Sequence, residues 1–232
     1  MSNSSSTPIP PSTHSTHTTQ DFDARARTWD DDPKKVQRAE DIARSIAQRV
    51  PLTQRMQGFE YGCGTGLVSF ALAESLGDIT LADSSSGMLA VLGEKIARFG
   101  SRSGNRTMQP RQLDLSTEAL PPERFDIVYT AMTLHHIPNT EQVLQQFHDL
   151  LRPGGYLCIA DLDAEDGSFH GQDVDVHHGF DRAVLGAQLA HAGFATATFD
   201  TAMTMYREGM YREGMQGETR SYPVFVAVAQ RA

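Results

Sequence analysis

Apolar residues fall at Val36, Ala39, Ile42, Ala43, Ile46, Ala47 and Val50, the spacing of one helical face. Asp32 followed by Pro33 supplies an N-cap with proline at the first helical position, and Pro51 supplies the stop. Beyond residue 56 the pattern changes to short apolar runs that alternate with helical stretches. The runs at 56–61, 78–83, 108–114, 125–130 and 156–161 predict strands, and 66–76, 86–99, 140–151 and 180–192 predict helices. That alternation predicts a parallel sheet with helices on both faces. "LRPGGY" at 151–156 reads as a helix stop, a turn and a strand start.

The end of the chain departs from this rhythm. "TATFDTAMTMYR" and "SYPVFVAVAQR" are two β-rich runs with no helix between them, which predicts an antiparallel hairpin. Between them "YREGM" occurs twice, at 206–210 and 211–215. An odd insertion inside a paired strand would turn its side chains to the wrong face, so the duplication is expected to lengthen the hairpin loop.

Composition refines the organisation. Residues 1–20 are mostly Ser and Thr with three prolines, too polar to offset the entropy of ordering, and are expected to be a disordered tail in which His14 and His17 are solvated. Residues 21–50 then form an N-terminal helical cap and 51–232 the main domain. Trp29, the only tryptophan, is either a staple for the first long helix or a lid over a pocket. No run approaches the roughly 20 apolar residues of a membrane helix, and no basic start with an apolar run marks a secretory signal. Two cysteines, Cys63 and Cys158, make no disulfide framework, and a cytoplasmic location is expected. The net charge of −9, without a basic stripe, argues against a nucleic-acid partner.

Residues 60–66, "EYGCGTG", carry the first chemical signal. Gly62, Gly64 and Gly66 follow the first strand, where open parallel sheets bind ligands, and the next helix begins with free N–H groups. A dinucleotide fingerprint needs a third glycine where this chain has Leu67 or Ser69, and a P-loop needs a lysine that is absent. A nicotinamide enzyme is thereby disfavoured. Asp83 ends the second predicted strand, 17 residues after Gly66, placed for the paired hydroxyls of a ribose, and Asp114 ends the third. Either could instead cap the helix that follows.

Taken in order, these segments resemble the class I S-adenosylmethionine-dependent methyltransferases of the small-molecule type. "EYGCGTG" matches the family's E/D-x-G-x-G-x-G motif, "LADSSSGML" its ribose motif and "QLDLS" its adenine motif. "FDIVYTAMTLHHI" and "LRPGGYLCIAD" match its fourth and fifth strand motifs. The resemblance implies a Rossmann-like α/β fold, a seven-stranded mostly parallel sheet with helices on both faces and a C-terminal antiparallel hairpin. It also implies S-adenosyl-L-methionine as cofactor and a small-molecule methyl acceptor.

By that resemblance Glu60 orients the amino group of the methionine part, and the backbone of Gly62, Cys63, Gly64 and Gly66 cradles it. Asp83 and Ser84 meet the ribose, and Met88 packs near the adenine. Asp114 and the Leu115 N–H read the adenine edge, and Thr130 and Ala131 lie near the sulfonium.

Methyl transfer needs alignment first, and a base only if the acceptor must lose a proton. His135 and His136 are the candidate catalytic residues, although packing and capping would also account for them. Residues 161–179 carry Asp161, Asp163, Glu165, Asp166, Asp173 and Asp175 beside His170, His177 and His178. They form either a wall for a cationic or metal-bound acceptor or an exposed acidic loop. His177 and His178 are adjacent, not four apart, and no metal is expected. The segment after the fourth strand lacks the [DNS]-P-P-[YFW] motif of amino-methylating DNA enzymes, and no Pro-Cys nucleophile exists. A cofactor-binding protein without transfer activity is the alternative.

Overall fold

The computed structural model describes residues 19–99, 107–170, 174–208 and 219–232. Helix α1 (Thr19–Arg25) and a 3-10 turn (Ala26–Asp31) lead into α2 (Pro33–Arg49). The Asp32 side chain accepts from the Lys34 N–H at 2.9 Å, as the Asp-Pro start predicts. Strands β1 (Gly58–Tyr61), β2 (Ile79–Asp83), β3 (Met108–Gln112), β4 (Phe125–Ala131) and β5 (Leu151–Leu162) follow, with α3 (Leu67–Leu72), α4 (Ser86–Phe99), α5 (Thr140–Leu150) and α6 (Arg182–His191). Antiparallel β6 (Thr198–Glu208) and β7 (Thr219–Gln230) close the chain.

The seven strands lie in the order β3-β2-β1-β4-β5-β7-β6. The first five are parallel, and β7 is antiparallel to both β5 and β6. This is the expected Rossmann-like sheet. Two apolar layers cover it. Ile42 and Ile46 of α2, Val68 of α3 and Leu92 of α4 pack on one face, against Tyr129, Cys158 and Val226. Phe147 and Leu150 of α5 and Leu185 of α6 pack on the other, against Val128, Ile159 and Phe225. Neighbouring strand residues thus enter opposite layers, which is why the central strands read as unbroken apolar runs.

Three expectations need correction. "LRPGGY" is not a turn ahead of the strand, because β5 runs through it. The register against β4 shifts between Phe125 and Ile127, and Gly154 absorbs the irregularity at a φ of 77°. Helix 66–76 is shorter, ending at Leu72 before a turn. The third strand stops at Gln112, two residues before Asp114.

The tail with His14 and His17 lies outside the described residues, except that α1 already begins at Thr19. The hairpin pairs out to Glu208 and Thr219, so the first YREGM copy begins inside β6. The second copy lies outside the described residues. Among the described residues no helix is long and apolar enough to cross a membrane.

Candidate functional site

Chain order reverses between β1 and β4, which are neighbours in the sheet. The crevice beyond their carboxyl ends is the expected ligand position of such a fold. A cavity of about 1140 Å³ opens there. It is lined on the β1 side by Glu60, Gly62, Cys63 and Gly64.

Gly62 has a φ of 69°, and a Cβ on it would collide with the Thr133 side chain. Only glycine lets the loop pass Thr133 this closely. Gly66 does not line the cavity. Its φ is 82°, and an added Cβ would meet Leu92 Cδ1 at 2.7 Å, so it serves the packing of the loop on α4. Cys63 is buried, and burial pushes its thiol well above the ordinary range, which suits packing and not nucleophilic attack.

Glu60 is 2% exposed. Ser69 donates its hydroxyl to the Glu60 carboxylate, and Ser69 Oγ lies 2.6 Å from the Tyr129 hydroxyl. Burial outweighs these contacts and raises the Glu60 pKa from 4.5 to about 8. Next door, Asp83 accepts the Gly64 N–H at 2.7 Å and the Ser85 N–H at 2.8 Å. Burial again raises its pKa, against the pull of those two donors.

Ser84, Met88 and Asp114 also line the cavity. Asp114 takes the Ser116 N–H at 2.9 Å and its hydroxyl at 2.5 Å, so it caps the local turn as well as facing the cleft. The structure thus brings the three acids to one cavity.

Leu115 departs from expectation. Its N–H donates to the Tyr61 hydroxyl at 3.1 Å, and the residue is fully buried off the cavity wall. A tyrosine two strands away has taken the donor assigned to the adenine edge. Thr130 is likewise buried within β4 away from the lining, whereas Ala131 reaches it. Met132 follows with a φ of 54°, strained for a side chain of its size, and its N–H donates to Ala160 O at 2.8 Å.

The N-terminal segment closes the cleft. Asp23 accepts the Ser85 hydroxyl at 2.5 Å and the Gly87 N–H at 2.7 Å. Asp30 accepts the Thr65 hydroxyl at 2.5 Å and Lys95 Nζ at 2.6 Å. Trp29 lines the cavity between Phe22, ring centroids 6.0 Å apart, and Lys35 Nζ, 3.7 Å over its ring. It belongs to the covering wall as well as to the packing of the cap.

Three imidazoles form the far wall. His135 is buried, with Nδ1 2.6 Å from Asp161 Oδ1. His136 packs its edge on Phe22 at 5.4 Å, and His170 lies 4.9 Å from His135, centroid to centroid. One potential ligand atom from each falls within 4.8 Å of the others. A zinc ion bound at about 2.1 Å to each nitrogen would draw them closer than that.

None of the acids of 161–179 lines the cavity. Asp163 pairs with Arg182 and Asp166 with Arg220, while Asp173 lies outside the described residues. Among its described residues that segment gives the cleft Phe169 and His170. Sequence reasoning did not single out Arg38, Met205 and Arg207, which also line it, although residues 22–50 and 161–180 were expected to form the acceptor pocket. The alternation of "TAMTMYR" was the only trace of Met205 and Arg207.

Residues 59–157 match the family model described as a methyltransferase domain. An uncharacterized methyltransferase of Schizosaccharomyces pombe is 31% identical over 119 residues, 50% of this chain and 42% of that protein. A polyketide synthase-nonribosomal peptide synthetase of Aspergillus clavatus is 26% identical over 125 residues, 52% of this chain but 3% of the synthetase. The chain therefore spans less than half the length of these relatives.

Among solved structures, phosphoethanolamine N-methyltransferase 2 of Haemonchus contortus, in complex with S-adenosyl-L-methionine, superposes with a TM-score of 0.63. It is 14% identical over 82% of this chain and 52% of that one. The [4+2]-cyclase SpnF superposes at 0.60, with 15% identity over 83% and 80% of the two chains. With the sheet order and the acid-lined glycine cleft, residues 59–157 of this chain match a methyltransferase domain on a Rossmann-like fold.

Proposed function

We propose that this protein binds S-adenosylmethionine and passes its methyl group to a small-molecule acceptor. The observation that carries the reading is the convergence of Glu60, Asp83 and Asp114 on one cavity with the bare backbone of Gly62 and Gly64. The residues fit the cofactor chemically. A buried carboxylate with a pKa near 8 has no cation paired with it, since Lys95, whose charge lowers that pKa, is bonded to Asp30 and the Thr65 carbonyl; an ammonium group beside Glu60 would supply one. Asp83 has free acceptor capacity on both oxygens for hydroxyl donors. Gly64 meets nothing nearer than Met88 Sδ at 4.0 Å where a Cβ would project, leaving room for close approach.

When bound, S-adenosylmethionine supplies a methyl group already activated on a sulfonium. The chain's own part is alignment and exclusion of water. The α1 and 3-10 segment covers the cleft through Asp23 and Asp30. On the acceptor side, Asp161 accepts from His135 Nδ1, which leaves Nε2 as that ring's proton acceptor. His135 and His136 are our candidates to receive a proton where the acceptor must lose one. Calorimetric titration with S-adenosylmethionine and S-adenosylhomocysteine tests the reading; absence of saturable binding ends it.

The second reading, a cofactor-dependent protein that transfers no methyl group, is favoured by the likeness to SpnF, a cyclase on this fold. Incubation with methyl-labelled cofactor and cell extract separates the two. A labelled product supports transfer; tight binding with no labelled product supports the second reading.

A further inference from the structure

Among the described residues several guanidiniums meet an acid, and Arg124 and Arg231 bond backbone carbonyls. Arg49 pairs with Asp200, Arg152 with Asp126, Arg182 with Asp163 and Arg220 with Asp166. Arg38 of α2 and Arg207 of β6 differ. Both line the cavity, and among the described residues neither pairs with a carboxylate.

Their actual contacts are modest. Arg38 Nη1 donates to Met205 Sδ at 3.4 Å, a weak acceptor. Arg207 Nη1 donates to Phe169 O at 2.5 Å, and its guanidinium lies 3.8 Å over the Phe169 ring. The nearby acids are already engaged. Asp161 receives His135 Nδ1, the His135 N–H and the Leu162 N–H, and Asp32 receives the Lys34 N–H.

Two like charges held close together with no carboxylate paired to either are costly. Burial lowers the Arg38 pKa most and the charge of Arg207 lowers it further, against the charges of Asp32 and Asp161, which raise it. A chain with 29 acidic residues against 20 basic ones does not lack acids to neutralise the pair. Among the described residues none of them pairs directly with Arg38 or Arg207, which leaves the two guanidinium forks open to a ligand. A cation bound by the three histidines would add to the repulsion, so the wall suits an anion.

We propose that Arg38 and Arg207 form an oxyanion subsite, and that the methyl acceptor carries a carboxylate or a phosphate that docks there. The inference rests on the methyl-transfer reading above and narrows its substrate class. A guanidinium offers parallel N–H donors that match either oxyanion, and Arg207 is held flat by Phe169. The anion would anchor one end of the acceptor between α2 and β6, leaving its reactive end toward the histidines and Ala131. No base at the guanidiniums is needed, since they only bind and orient.

The test uses the full chain saturated with S-adenosylhomocysteine. Benzoate, phenyl phosphate and the uncharged benzamide are titrated in turn, read by calorimetry and by the fluorescence of Trp29 in the same cavity. Benzoate or phenyl phosphate should bind at least about tenfold more tightly than benzamide, the scale of a charged hydrogen-bond pair. The better of the two identifies the oxyanion. Arg38→Met and Arg207→Met should each remove that preference while leaving S-adenosylhomocysteine affinity unchanged. Arg38→Lys, which keeps the charge but not the fork, should retain part of it if Arg38→Met fails to fold.

Equal binding of benzamide, no saturable binding of either anion, or an anion preference that survives both Met variants overturns the subsite. Failure of the wild-type chain to bind S-adenosylhomocysteine overturns the donor reading instead. The same three titrations without cofactor then still decide the subsite.

Discussion

The backbone N–H of Gly64 donates to Asp83 Oδ2 at 2.7 Å, tying the loop after β1 to the acid that ends β2. Asp83 therefore shapes the glycine loop before any ligand arrives. Asp83→Ala should weaken S-adenosylhomocysteine binding by about 10- to 100-fold, the worth of charge-assisted hydrogen bonds. Asp83→Asn should lose less, because its amide oxygen still accepts the Gly64 N–H. Calorimetry on the two variants checks the order.

Glu60 predicts a proton-coupled affinity. Its pKa of about 8 leaves the empty site protonated at neutral pH, and a bound ammonium group would favour the carboxylate. Cofactor binding should therefore release a proton at neutral pH, and affinity should rise with pH until about 8. Calorimetry in buffers of different ionisation heat measures the release, which Glu60→Gln should abolish. A raised carboxyl pKa also stabilises the fold fully below the unfolded value of 4.5, and this contribution fades as pH climbs through about 8. The Tm of the wild type relative to Glu60→Gln should fall across that window.

The covering segment hangs on two acids. Asp30→Ala removes the acceptor for both Thr65 and Lys95, and Asp23→Ala removes that for Ser85 and Gly87. Tryptic cleavage at Arg25 and Arg27 should speed up in each variant, with weaker cofactor binding and little change in global Tm. Limited proteolysis followed by mass spectrometry reads the outcome.

Two glycines of one loop should fail differently. Gly62→Ala forces a Cβ into Thr133 at a φ of 69° and should cost about 2 kcal/mol or more in stability. Gly64→Ala has space around it but points into the cleft, so it should cost about 1 kcal/mol for its φ of 53° while sharply weakening cofactor binding. Thermal melts and cofactor titrations on the pair separate the two effects.

The glycine-loop half of the cleft was legible because its signals are local. Glu60 and the glycines are consecutive, and Asp83 sits at a strand end that the apolar runs of "DITLAD" mark. The acceptor half was not. Arg38 sits in a helix whose apolar stripe predicts only that α2 packs on something, and its neighbour Met205 is 167 residues away. His170 meets His135 only because β5 carries the chain back across the cleft. Leu115 illustrates the opposite error: a backbone donor that looks free in sequence is satisfied by Tyr61 from another strand. "LRPGGY" misled for a third reason, since the same glycines that make turns also permit a strand to bulge.

Strand β6 is an edge of the sheet, and it delivers Met205 and Arg207 to the cleft. The first YREGM copy begins at its end. Changes to that edge strand would therefore reshape the wall beside α2 while leaving the loop after β1 and its tie to Asp83 untouched.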